Sequence, residues 1–149
     1  MASSAIHAHA FLVCLNVAWD GTPGPNTSRT LERVSYVYRT DTPDGFPFQT
    51  EFWLFVRLGH RRRQGVAKTL YLTLVWHDDP ELRPEAWTRR FQDVSFRPEV
   101  SVRDIAARAD GVFEGPGRYE FRLWYRSVRK WDRTVRRRVV ARTFIRIEG

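Results

Sequence analysis

The sequence predicts an all-β fold, an antiparallel β-sandwich of immunoglobulin-like or jelly-roll kind with about seven or eight strands and one short helix. Three observations carry this. Apolar residues recur with a period of two along most of the chain, which is the spacing of a half-buried strand. Gly, Pro, Asn and Asp clusters interrupt those runs at short intervals. The 149 residues, 42% of them hydrophobic, are enough for one core and too few for two, so residues 1–149 read as a single domain.

In chain order, Ile6 to Trp19 is an apolar run too aromatic and β-branched for a helix. The cluster Asp20-Gly21-Thr22-Pro23-Gly24-Pro25-Asn26 ends it as a loop. Leu31 to Tyr38 reads as a strand, and Thr40 to Pro47 as a break. Phe52 to Leu58 and Lys68 to Trp76 are two further strands. In the second, Leu70, Leu72, Leu74 and Trp76 share one face while Thr69, Tyr71 and Thr73 share the other. The charged stretch Gly59 to Gly65 between them predicts a hairpin. Asp78 to Glu85 is a connection with room for one helical turn, Phe91 to Phe96 a strand, and Ser101 to Asp110, with Ile105, Ala106, Ala107 and Ala109, the short helix, which Gly111 would end.

After Gly115-Pro116-Gly117 the alternation is clear. Tyr119, Phe121, Leu123 and Tyr125 face inward; Arg118, Glu120, Arg122, Trp124 and Arg126 face outward. Tyr119, just past a glycine turn, is placed to hydrogen-bond back to the preceding connection and pin that corner. In the last strand, Val135 to Ile147, parity puts Val139, Ala141, Ile145 and Ile147 inside and Arg136, Arg138, Arg142 and Arg146 outside. Val140 and Phe144 share the outer parity.

Four stretches, Ala8-His9-Ala10-Phe11-Leu12-Val13-Cys14-Leu15-Asn16-Val17, Phe46-Pro47-Phe48, Phe55-Val56-Arg57-Leu58 and Gly115-Pro116-Gly117-Arg118-Tyr119-Glu120-Phe121-Arg122-Leu123, resemble a family of short bacterial proteins of unknown function. The resemblance spans most of the chain and implies one β-sandwich domain and a bacterial origin. It brings no activity. Leu15 follows Cys14 where the family has an acidic residue, and the loop at Pro23 to Asn26 and the arginine-rich ending are also departures.

Chemistry is sparse. Cys14 is the one cysteine, so no internal disulfide can form; it reads as a small buried hydrophobe. With no secretory leader or apolar span visible, the expectation is a cytoplasmic protein without membrane insertion. No Gly-x-Ser-x-Gly or phosphate-loop motif occurs. His7 and His9 could bind a metal with His77, Asp78 or Asp79, but near-terminal histidines more often face solvent. Asp41, Asp44, Asp78, Asp79, Glu81 and Glu85 could meet around calcium, yet acids beside proline are ordinary turn formers. The expectation is a protein that is not an enzyme and uses no cofactor and no metal.

Charge is the strongest functional signal. Lys and Arg number 25 against 17 Asp and Glu, a net charge of +8, and Gly111 to Gly149 holds eleven of the cations with four of the acids. Arginine bias is also what a GC-rich coding sequence produces, so charge alone does not separate a solvated face from a binding one. The aromatics add information. Arg118, Arg122, Trp124, Arg126, Arg136, Arg138, Arg142, Phe144 and Arg146 are expected on one outer face, with Trp131 in the connecting turn. Aromatics beside arginine compose protein-interface anchors and also base-stacking platforms. The first reading is a protein-interaction or assembly module, through a protein partner or self-association. The alternative is a nucleic-acid-binding domain, directed at single strands or at the phosphate backbone.

Overall fold

The computed structural model describes residues 6–19, 29–40, 45–61, 65–83, 85–97 and 102–149. The alternating segments become ten strands: β1 (Ile6–Cys14), β2 (Asn16–Trp19), β3 (Arg29–Glu32), β4 (Val37–Arg39), β5 (Phe48–His60), β6 (Val66–Trp76), β7 (Trp87–Phe96), β8 (Val102–Phe113), β9 (Gly117–Val128) and β10 (Val135–Glu148). A three-stranded sheet has the order β1-β5-β8, a five-stranded sheet the order β4-β10-β9-β6-β7, and β2 pairs with β3 alone. All pairings are antiparallel except β4 with β10. No helix occurs among the described residues, so none there is long and apolar enough to cross a membrane.

The two sheets pack over a common core. Phe52, Leu54, Val56 and Leu58 of β5 meet Leu70, Leu72 and Leu74 of β6 and Tyr119, Phe121 and Leu123 of β9, all buried in one cluster. The larger sheet is not the flat leaf of a simple sandwich; it curls as a half-barrel. β10 comes to lie beside β1 at one edge and β7 beside β8 at the other. Bulges in the β6–β7 and β9–β10 pairings, between Leu70 and Tyr71 and between Val139 and Ala141, add local twist of the kind that closes sheets.

Three expectations need correction. The stretch read as a helix, Ser101 to Asp110, is part of strand β8 from Val102 onward. Ile105, Ala107 and Ala109 lie opposite Val56, Leu54 and Phe52, and Ala109 is buried with Ile105 beneath the aromatic core. Alanine's helix preference amounts to less than about 1 kcal/mol per residue, and a full ladder of pairing with β5 outweighs it. β5 and β6 are not a hairpin: β5 ends in the smaller sheet and β6 starts in the larger. Leu31 to Tyr38 is not one strand but the end of β3 and the start of β4, with Arg33 between them in the left-handed region at φ 54°.

Tyr119 behaves as the sequence predicts. Its hydroxyl donates to the Gly115 carbonyl at 2.7 Å, its ring stacks on Trp76 at 5.6 Å, and Phe113 meets it edge-on at 4.8 Å. Gly117, at φ +134°, turns the chain into β9 against Asp78, whose Oδ2 lies only 2.5 Å from where a Cβ would sit. That carboxylate accepts the Arg118 amide at 2.7 Å, so no larger residue fits there without losing the contact.

Candidate functional site

The outer face of the β10-β9-β6 layer is where the sequence places its basic surface, and its inner half is neutralised and covered by the chain itself. Glu120, 1% exposed, receives Arg122 at 2.7 and 3.1 Å and faces His77 Nε2 at 2.8 Å, with Arg142 at 3.7 Å. Burial would raise its pKa, but the hydrogen bonds from Arg122 and His77 and the charges of Arg122 and Arg142 prevail and hold the carboxyl below its ordinary 4.5. Arg122 and Arg142, directly opposed across β9 and β10, are thereby reconciled.

Trp124 does lie on the outer side of the sheet, but it is only 3% exposed. The Tyr71 ring stacks on it at 4.8 Å, the Arg137 guanidinium covers it at 4.3 Å, and its indole N–H donates to Thr73 Oγ1 at 2.8 Å. Arg137 is held in turn by Glu85. Phe144 is half-buried beneath the Arg118 guanidinium at 4.2 Å, beside His77. Neither aromatic is a free anchor. Arg118 and Arg146 lie opposite each other at the far end of this face and are exposed.

Arg136 and Arg138 are not on that face. The bulge at Val140 shifts the parity of β10, so Val139 opposes Trp124 and Arg137 opposes Arg126, while Arg138 opposes the core-facing Tyr125 and Arg136 opposes Ser127. Strict alternation assigns the opposite side because one extra residue inverts every position before it.

β9 pairs with β6 only from Tyr119 to Tyr125; beyond that, Arg126, Ser127 and Val128 pair with β10 alone. On its side, β6 from Val66 to Thr69 pairs only with β7. The last part of the β9–β10 hairpin is therefore a two-stranded arm leaving the sheet. Its turn is built by local hydrogen bonds. Asp132 Oδ1 accepts the Thr134 amide at 3.0 Å and its hydroxyl at 2.7 Å, Arg129 N donates to Thr134 O at 3.0 Å, and Arg133 N donates to Arg129 O at 3.0 Å. These bonds hold the Asp132 carboxyl below its usual value and fix the tip, where Arg133 sits at φ 55°.

Residues 126–138 carry seven cations and one acid. Arg126 and Arg137 are on one face of the ribbon and Arg136 is on the other; Arg138 follows on that second side at the root of the arm, opposite Tyr125, which still pairs with β6; Arg129, Lys130 and Arg133 are in the turn. Arg126 rests on Tyr71 at 4.8 Å and Arg129 near Trp131 at 5.5 Å. Among the described residues, no carboxylate stands within ion-pair distance of Arg126, Arg133, Arg136 or Arg138. Trp131 is 81% exposed at the tip. Arg129, Lys130, Arg133 and Arg137 were not among the site residues the sequence singled out; the density of charge in this one turn is the signal that could have found them.

The other candidates resolve into structure. Asp79 binds Arg83 at 2.7 Å, Asp78 the Arg118 amide, and Glu85 Arg137. Asp41 and Asp44 lie outside the described residues. His7 and His9 meet edge-on at 4.6 Å over Gly59, while His77 is engaged with Glu120; among the described residues, no three ligating side chains converge on a metal position. Cys14 is buried, and burial raises its pKa.

The architecture is thus an all-β domain with a curled sheet and a projecting cationic hairpin. No family model matches the chain, and no curated protein matches it. Among solved structures it is similar to the Pseudomonas fluorescens alkylpurine DNA glycosylase AlkC, bound to DNA containing an abasic site analog, with a TM-score of 0.56 at 9% sequence identity. The match covers 99% of this chain and 31% of that protein, so this chain spans about a third of its length. At that identity the likeness concerns the fold.

Proposed function

We propose that this protein is a nucleic-acid-binding domain that works by binding and not by a reaction, and that the β9–β10 arm is its contact element, directed at the phosphate backbone of duplex DNA. The observation that carries the reading is the placement of cations on both faces and at the tip of a narrow two-stranded ribbon. A flat protein partner would meet one face of such a ribbon. A groove has phosphates along both walls, and the major groove of B-form DNA, about 12 Å wide, admits a two-stranded β-ribbon. Arginines of the arm would replace counterions along the backbone and fix the register of the ribbon, with little sequence preference. That a structurally similar protein is a DNA glycosylase bound to DNA adds support at the level of fold.

The reading through a protein partner relied on Trp124 and Phe144 as anchors, and both are occupied internally. Nucleic acid therefore becomes the first reading here. The test is fluorescence anisotropy with a short labelled B-form duplex across a range of salt. Binding should weaken steeply as salt rises, and the triple variant Arg133→Ala, Arg136→Ala, Arg138→Ala should bind more weakly, its log–log salt slope shallower by roughly 0.9 per arginine that contacts a phosphate. A flat titration of the native protein at low salt would overturn the proposal.

A further inference from the structure

Trp131 has no place in a purely electrostatic account. It is 81% exposed, at the tip of a turn closed by hydrogen bonds between Asp132 and Thr134, with Arg129 leaning toward it, and it lies outside the hydrophobic core cluster. Apart from its contact with Arg129 the ring stands clear of the turn's own bonds: Val128 and Val135 pair behind it and Asp132 closes the turn through Thr134.

We infer that Trp131 is a stacking residue, and that the ligand class of the arm is duplex DNA with a local break in base stacking, such as a gap or an unpaired nucleotide. This rests on the nucleic-acid reading above. The arm's free part, three residues on each strand, extends about 10 Å at the rise of a β-strand. The major groove is about 8.5 Å deep, so the arm's tip reaches the level of the bases when its flanking arginines reach the phosphates. A planar ring delivered there can stack on a base face. In an intact duplex each base face is already occupied, and opening a step costs free energy; at a gap or unpaired base that cost is already met. The inserted indole then discriminates by stacking, while the cations hold any duplex.

The experiment compares three labelled probes at one low salt concentration: an intact duplex, the same duplex with a one-nucleotide gap, and the same duplex with one unpaired base. Native protein should bind both interrupted duplexes at least about fivefold more tightly than the intact one, the lower end of what one stacked base contributes. Trp131→Ala should remove that preference, bringing the affinity for both interrupted duplexes down to that for the intact one, and Trp131→Phe should retain part of it. Because the ring is solvent-exposed, both variants keep the native far-ultraviolet circular dichroism. Equal affinity for all three probes, or an alanine variant weakened equally on all three, overturns the stacking role while leaving the backbone reading intact. No binding to any probe overturns both. A Trp131→Ala effect seen only as lost self-association in light scattering assigns the ring to a protein contact and contradicts the inference.

Discussion

Glu120 shows how a surface arginine array is made compatible with folding. One buried carboxylate serves Arg122, His77 and, at longer range, Arg142, and its pKa is held below 4.5 despite burial. A depressed folded-state pKa contributes stability that is fully present above the unfolded value and lost as pH falls through the folded one. Urea unfolding should therefore show falling stability below about pH 4.5, and Glu120→Gln should flatten that part of the profile. At neutral pH the same substitution should cost about 1.5–3 kcal/mol, the range for hydrogen bonds to charged groups. No loss would mean the arginines do not depend on Glu120. Tyr119→Phe removes the 2.7 Å bond to the Gly115 carbonyl and, with it, the hydroxyl that accepts the Gly115 amide at 3.4 Å. It should lower stability by about 1 kcal/mol in the same assay. The alternation read Tyr119 correctly because the bond is local, four residues back along the chain. It could not reveal that Glu120 binds His77, 43 residues away.

The hairpin β9–β10 owes its character to one bulge. Up to Tyr125 period-two reading holds along β9, and after Ala141 it holds along β10; between them Val140 inverts the side on which Arg136, Arg137 and Arg138 emerge. Bulges have no single-residue signature, so parity counted through one fails beyond it. The consequence is physical. Arg137, and not Arg136 or Arg138, covers Trp124 and meets Glu85. Arg137→Ala should therefore destabilise by about 1 kcal/mol, the order of a partly exposed cation–π contact, with Arg136→Ala near neutral. Equal effects in urea titrations would contradict the register. β8 failed for a different reason: its alanines favour a helix locally, but they lie opposite Phe52, Leu54 and Phe55 of β5 and take strand geometry from that neighbour.

The whole molecule divides its charge between two kinds of surface. On the sheet, Arg118 lies over Phe144 and Arg122 and Arg142 share the buried Glu120; on the arm, Arg126 and Arg137 lean back on Tyr71 and Trp124, Glu85 holds Arg137, and the ribbon's one acid, Asp132, is committed to the turn, which leaves Arg133 and Arg136 with no carboxylate at ion-pair distance among the described residues. Composition made the net charge of +8 legible but not this division, which depends on where β6 stops pairing with β9. The all-β class was legible, though not the curl of the larger sheet or the strand in place of the expected helix, for the same reason that the site was not: alternation reports local burial, whereas a protruding arm is defined by the absence of a neighbour. The most direct test removes the same formal charge from either place and measures affinity for a labelled B-form duplex by anisotropy at low salt. Arg133→Ala, Arg136→Ala, Arg138→Ala on the arm and at its root should weaken binding strongly, while Arg118→Ala, Arg142→Ala, Arg146→Ala on the sheet should leave it near the native value. Equal losses from the two triple variants would show that net charge, and not the arm, holds the duplex.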